Sequence, residues 1–309
     1  MSDTHANAMV GINWGSSNFR AYLIDDQGMV QDTLEASAGV AHVSRDGMVE
    51  MANQVRQRWP GALRVYAAGM IGSNIGWIDA GYIDAPAGLA EVSRRLVATQ
   101  IGALSLQIVP GVTCVRSADG APDIMRGEET ELFGLMAAGQ LEGAPVVALP
   151  GTHTKWVTVE DGRIREFMTA LSGELFDRLS SGGVLASVVT GPGEDGPAFR
   201  DGVQLATRSG QGLSTLLFGV RARVIRRVLS RDEASAFLRG VLIGSEIADA
   251  RALFPALGTA AVPLVGSGPV CALYAAALES LGLGARKVTS ADAVVRGFVA
   301  LDARCHASG

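Results

Sequence analysis

The chain has 309 residues, 48% of them hydrophobic and 18% charged, with a formal net charge of −5 and a pI near 5.4. That length suits two domains with separate cores, and the composition excludes a disordered chain. The acidic balance and singly scattered basic residues give no footprint for nucleic acid, while Cys114, Cys271 and Cys305 lie far apart with no CxxC, which argues against a zinc site or a disulfide framework and fits a reducing cytoplasm.

Residues 1–8 are polar, lack the apolar core of a signal peptide and read as a loose tail. Residues 10–33 (VGINWGSSNFRAYLIDDQGMVQDT) and 146–168 (VVALPGTHTKWVTVEDGRIREFM) then share one pattern: apolar strand, small polar turn, alternating strand, Asp/Gly turn, third strand. Gly15 and Gly151 are 136 apart, as are Asp25 and Asp161 (151 − 15 = 161 − 25), so one fold occurs twice. Asp161-Gly162 is a hairpin signal because both positions of such a turn need positive φ, and Asp26-Gln27-Gly28 serves the first copy with a longer loop.

Between and after the repeats, helices are expected over residues 47–58, 88–99 and 126–138, with strands at 63–68 and 105–109. The second half should carry helices at 174–179, 213–229, 231–253 and 270–281 and a strand at 261–265. Residues 252–278 carry no charge, but Pro255, Pro263, Pro269, Gly258, Gly266 and Gly268 break them into strand, turn and helix, so no membrane span is expected. The sum is duplicated mixed α/β, with the linker at residues 139–145, where Gly139, Gly143 and Pro145 end a helix.

Two opposed glycine-containing turns are what a phosphate-binding cleft needs, since exposed N–H groups and hydroxyls can surround phosphate oxygens from both sides. The candidates are Gly15-Ser16-Ser17-Asn18 and Gly151-Thr152-His153-Thr154; each alone could be a plain hairpin turn, and their repetition favours function.

The ordered set INWGSSNFR (residues 12–20), AGMIGSNIGW (68–77), MRGEET (125–130), PGTHTKW (150–156) and SGEL (172–175) resembles the 2-keto-3-deoxygalactonate kinase family, from about residue 10 to residue 298. The resemblance implies two actin-like (ribonuclease H-like) domains, each a mixed sheet flanked by helices, at 1–142 on the sugar-acid side and 143–309 on the nucleotide side, with the last helix packing back on the first domain. It also implies ATP and Mg2+ in an inter-domain nucleotide cleft, and phosphoryl transfer to the terminal hydroxyl of a six-carbon keto-deoxy sugar acid. On that template Gly266-Ser267-Gly268 takes the adenosine half of the nucleotide, and Lys155 reaches a phosphate or is a solvated strand lysine. Gly69, Met70, Ser73, Asn74 and Arg126 face the sugar acid, the guanidinium suiting its carboxylate. Glu129, Glu128 and Glu174, in that order, are the candidate bases, against the plain reading of first-turn acids that stabilise a helix dipole. Asn13 stands where the superfamily carries an aspartate beside the metal, so metal binding should be weaker here.

The gluco epimer is an alternative acceptor, and an exopolyphosphatase-like hydrolase or a non-catalytic sensor is an alternative role on the same fold. A dinucleotide site at residues 261–268 is disfavoured because Cys271 stands at the third fingerprint glycine, and the absence of any Gly-Lys dipeptide excludes a P-loop. The expected partners are small molecules in the cytoplasm, with no nucleic acid and no membrane, and homo-oligomerisation is left open.

Overall fold

The computed structural model describes residues 8–62, 64–288 and 292–307; the expected tail before Ala8, and Leu63 at the start of an expected strand, lie outside the described residues. The first half contains β1 (Met9–Trp14), β2 (Phe19–Ile24), β3 (Val30–Ala36), α1 (Arg45–Arg58), β4 (Arg64–Ala68), a 3-10 turn (Met70–Gly72), β5 (Tyr82–Asp84), α2 (Leu89–Ser93), β6 (Val97–Ile101), β7 (Leu104–Ile108), β8 (Gly111–Val115), β9 (Pro122–Met125) and α3 (Glu128–Ala137). The second contains β10 (Val146–Leu149), β11 (Thr154–Glu160), β12 (Arg163–Ala170), α4 (Ser172–Ser181), α5 (Gly183–Ala186), α6 (Pro197–Arg208), α7 (Leu213–Ile225), α8 (Arg231–Leu253), β13 (Val262–Val265), α9 (Gly268–Ser280), β14 (Ala285–Val288) and α10 (Ala293–His306).

The internal repeat becomes a repeated sheet. One sheet has the order β3-β2-β1-β4-β7-β6 and the other β12-β11-β10-β13-β14. In each, the first strand of the repeat pairs antiparallel with the second (Ile12↔Ala21, Ala148↔Trp156) and parallel with a later strand (Ile12↔Ala67, Ala148↔Leu264). β1 and β10 are apolar runs because both of their faces are covered. The Asp161-Gly162 turn has φ of 52° and 70°, as a two-residue hairpin of this hand requires. In the first copy Gly28 takes φ 79°, and the Asp25 carboxylate accepts from the N–H groups of Gln27 and Met29 at 2.9 and 2.8 Å.

The expected helix over residues 88–99 is corrected: α2 ends at Ser93, and residues 97–101 form an edge strand antiparallel to β7. Gly102 at φ 57° closes that hairpin, and the strand has the two-residue alternation that ends on buried Ile101. A small β5-β8-β9 sheet, β14 and α6 also go beyond the expected elements. α7 stops at Ile225, short of the expected 229, with Arg227 at φ 59° two residues later. α8 covers 231–253 as expected, started by a capping box in which Ser230 and Glu233 satisfy each other's backbone N–H.

One apolar cluster joins the two sheets. It runs from Met9, Ile24 and Tyr66 through Leu132 and Phe133 of α3 and Phe298 of α10 to Val147, Leu149 and Val157. α10 lies against the first sheet, with Phe298 over Gly11, where a Cβ would come within 2.3 Å of the ring, and Asp302 bound to Arg64 at 2.6 Å and Tyr66 at 2.9 Å. α3 and α10 touch backbone to backbone at two glycines: a Cβ on Gly134 would lie 2.0 Å from the Ala293 carbonyl oxygen, and one on Gly297 2.1 Å from that of Thr130. Gly297→Ala would gain roughly 1 kcal/mol of helix propensity. Because the neighbour is backbone and cannot rotate away, overpacking of about 1–3 kcal/mol outweighs that gain. Gly297→Ala is expected to lower the urea midpoint at unchanged m-value; a midpoint equal to or above wild type would show that α10 has room to shift.

Candidate active site

The first turn begins where β1 ends. The Gly15 N–H closes it on the Asn18 carbonyl at 3.0 Å, and Ser16, Ser17 and Asn18 are exposed. Residues 39–41 lie behind it: the N–H groups of Gly39, Val40 and Ala41 donate to the carbonyls of Ser17, Gly15 and Ser16 at 3.0–3.1 Å. A side chain at Gly39 would collide with this backbone at 2.2 Å. The carbonyls of the turn are thus occupied, while among the described residues the N–H groups of Ser16 and Ser17 have no partner. Such a turn is polarised to meet an anion.

The second turn repeats the arrangement. Thr154 is fully buried and its hydroxyl accepts from the Gly151 N–H at 3.3 Å, while Thr152 and His153 are exposed and their N–H groups lack partners among the described residues. The start of α4 presses on it, since a Cβ on Gly173 would lie 2.4 Å from the Gly151 carbonyl oxygen, and the Glu174 N–H donates to the Thr152 carbonyl at 3.1 Å. The Gly266-Ser267-Gly268 turn lies alongside: a Cβ on Gly266 would come within 2.9 Å of the Pro150 carbonyl oxygen, and α9 begins at Gly268.

Asn13, Gly69 and Gly127 come together at the carboxyl ends of β1 and β4. Gly69 takes φ 96°, a Cβ there would sit 2.7 Å from the Trp14 carbonyl oxygen and 3.5 Å from Asn13 Oδ1, and a Cβ on Gly127 would meet the Gly69 Cα at 3.2 Å. This close approach brings the start of α3 to the first turn. Lys155 of β11 reaches the same place from the other sheet, its buried Nζ 3.7 Å from Glu128 Oε1.

The glutamates differ in kind. Glu129 is 0% exposed and accepts from the Gly127 N–H at 2.6 Å and the Thr130 hydroxyl at 3.2 Å. Burial, with the neighbouring Glu128 charge, pushes its carboxyl up to about 8 against those hydrogen bonds. Of the two adjacent acids, Glu129 is turned inward and Glu128 is left partly exposed beside Lys155. Glu174 belongs to the second turn, where its carboxylate meets His153 Nε2 at 2.7 Å; that hydrogen bond holds it below the usual carboxylate range.

On the sugar-acid side, Met70 starts the 3-10 turn, Asn74 is exposed, and Ser73 is buried with its hydroxyl donated to the Met70 carbonyl at 2.7 Å. Arg126 is buried over the Tyr82 ring at 4.4 Å and donates to the Gly81 carbonyl at 3.0 Å; its Nε and Nη1 have no partner among the described residues.

Residues 13–301 match the family model described as DGOK, 2-keto-3-deoxy-galactonokinase. The chain belongs to this family. It is 37% identical over 307 residues to a probable 2-dehydro-3-deoxygalactonokinase of Rhizobium meliloti strain 1021, covering 96% of this chain and 97% of the relative. It is 32% identical to the 2-dehydro-3-deoxygalactonokinase of Escherichia coli K12, covering 94% and 95%. A solved Sinorhizobium meliloti structure with the same provisional description superposes with a TM-score of 0.84 at 35% identity, over 97% of this chain and 99% of that one. This member of the 2-keto-3-deoxy-galactonokinase family therefore has the fold of that solved structure, with the duplicated mixed α/β organisation expected from its repeat and the actin-like class that the family resemblance implied. No helix among the described residues is long and apolar enough to cross a membrane.

What the sequence reading missed is the support under the second turn. Glu246, set in α8 among buried Leu242, Ile243, Ile247 and Ala250, and Tyr274 of α9 are both buried behind Thr154. An acid at helical spacing from apolar residues was the available signal.

Glu129 also sets a pH dependence. A carboxyl raised on folding favours the fold when protonated, so its contribution is complete below the unfolded value near 4.5 and is lost as pH rises to about 8. Thermal midpoints should fall across that window, and Glu129→Gln, which cannot ionise, should show a smaller fall. Equal falls in the two proteins would mean that Glu129 ionises in the fold as easily as in water.

Proposed function

We propose that the chain transfers the terminal phosphoryl group of ATP to the 6-hydroxyl of 2-keto-3-deoxygalactonate in galactonate breakdown in the cytoplasm. Residues 1–142 act as the sugar-acid domain and 143–309 as the nucleotide domain. The observation that supports this reading is the pair of turns with unpartnered N–H groups, one at each sheet, in a chain that matches a galactonokinase family over residues 13–301. The amides of Ser16, Ser17, Thr152 and His153, with Gly15, Asn18 and Gly151 shaping the turns, donate to phosphate oxygens. Gly266, Ser267 and Gly268 receive the adenosine half. Lys155 leaves Glu128 for the transferring phosphate, where a point charge counters the negative charge that develops.

Glu128 then takes the proton of the acceptor hydroxyl as the oxygen–phosphorus bond forms and the bond to the leaving diphosphate breaks. Arg126, with Nε and Nη1 unpartnered, is assigned to the sugar-acid carboxylate, and Gly69, Met70, Ser73 and Asn74 shape the wall beside it. Removing a base that works in the transition state costs about 100- to 10,000-fold in rate. Coupled assays over a panel of sugar acids, with the phosphorylated position read by NMR, should find galacto-configured acid as the best acceptor. Glu128→Gln should lose turnover on that scale, while Glu129→Gln stays within a few-fold. Phosphate release without any acceptor, or full activity in Glu128→Gln, would overturn the assignment.

Magnesium fits the residues present in one particular way. Among the described residues no group of three His, Cys, Asp or Glu could hold a metal ion, and Asn13 offers an amide oxygen facing Gly69. That donor set suits a hydrated ion bound chiefly by phosphate oxygens, with Asn13 accepting a hydrogen bond from a metal-bound water. When bound, the ion neutralises charge on the phosphates. Since a neutral amide adds no attraction, Asn13→Asp should lower the magnesium concentration that gives half-maximal turnover. Superimposable magnesium curves would remove Asn13 from the metal site.

A further inference from the structure

Behind the second turn lies a closed polar cluster in an otherwise apolar region. Glu246 of α8 accepts from Trp156 Nε1 at 2.6 Å, from the Tyr274 hydroxyl at 2.9 Å and from the Ser172 hydroxyl. Tyr274 Oη lies 2.8 Å from the Thr154 hydroxyl and 3.0 Å from that of Ser172. Thr154 in turn accepts from the Gly151 N–H. All five side chains are buried, with Trp156 and Thr154 at 0% exposure and Tyr274, Glu246 and Ser172 at 2%, 3% and 6%.

The donors and acceptors admit a complete directed arrangement around an ionised carboxylate. The Trp156 N–H points to one oxygen, and the Ser172 and Tyr274 hydroxyls to the other. The Thr154 hydroxyl then donates to Tyr274 Oη, which leaves its own lone pairs for the Gly151 N–H. The chain Gly151, Thr154, Tyr274, Glu246 thus carries one polarity from the turn to the buried acid. If the carboxyl is protonated, it must itself donate, and that polarity is lost. Burial pushes this carboxyl up to about 7, against the hydrogen bonds from Ser172, Trp156 and Tyr274, and raises Tyr274 well above its usual range, so the phenol stays a donor.

A carboxyl in such a place is a poor choice for stability, because an apolar side chain of similar volume would serve the fold as well or better. What the cluster joins is specific: the start of β11 at Thr154, the start of α4 at Ser172, α8 and α9, all at the turn assigned to phosphate. We propose that Glu246 and Tyr274 are positioning residues for nucleotide binding, holding the Gly151–Thr154 turn and the start of α4 in register so that the Thr152 and His153 amides face the phosphates. This rests on the reading of that turn as a phosphate site.

Calorimetric titration of the full chain with ATP, beside steady-state kinetics, tests it. Tyr274→Phe removes one buried oxygen and keeps the ring. It is expected to weaken ATP binding and raise the KM for ATP by about tenfold, the order of one hydrogen bond to a charged group, with the KM for the sugar acid within twofold. Glu246→Gln should do the same, and the double variant should be no worse than either single one, because both break one chain. If both variants bind ATP like wild type, or if both substrates' KM values change equally in step with a lowered thermal midpoint, the cluster is only structural and the proposal fails. If wild type itself binds no ATP, the phosphate reading of the turn fails first. Should Glu246→Gln not fold, Tyr274→Phe decides alone.

Discussion

The proposed site depends on how closely α3 can approach the ends of β1 and β4. Gly69 at φ 96° leaves no room for a Cβ against the Trp14 carbonyl, Gly127 lies on Gly69, and Gly134 meets the backbone of α10. Larger residues along this line would lift α3 away from the first turn and take Glu128 with it. Hydrophobic burial supplies most of the driving force that holds the helix down, but it is non-directional. The glycine contacts are what convert it into a fixed distance.

The two turns solve the same problem with different supports. The first is held mainly by backbone, through the three N–H groups of residues 39–41, with the Trp14 indole N–H donating to the Ala38 carbonyl at 2.8 Å, and the neutral Asn13 amide oxygen lies beside Gly69. The second is held by side chains around a buried acid. Duplication therefore preserved strand order and turn shape, and left each copy free to find its own way of satisfying the turn. The Lys155–Glu128 contact links a strand of the second half to a helix of the first, as does the Arg163–Glu91 ion pair at 3.2 Å.

The repeat was legible because strand periodicity and turn chemistry are local: residues 10–33 and 146–168 carry both, and the sheets formed as their patterns required. Residues 97–101 were misread because five residues of mixed polarity fit a helix face as well as an edge strand, and only the pairing with β7 decides between them. The positions of the site turns were likewise visible in their glycines. Which of Glu128 and Glu129 is buried was not, since adjacent residues on a helix point about 100° apart and the choice is set by the tertiary packing of α3. Glu246 and Tyr274 are separated by 28 residues and met behind Thr154 only through the packing of α8 and α9.

The placement of α10 bears on the order in which the molecule can be completed during synthesis. Gly11, Arg64 and Tyr66, on strands made early, find their partners Phe298 and Asp302 in the last described helix. Until that segment has left the ribosome, one face of the first sheet and the flank of α3 present bare apolar surface. The first half therefore waits for the last described helix although it is translated first, and of the second sheet only the face under α8 and α9 is covered independently of α10. A chain cut before α10 would keep the sequence of both turns and lose the clamp that sets α3 against them.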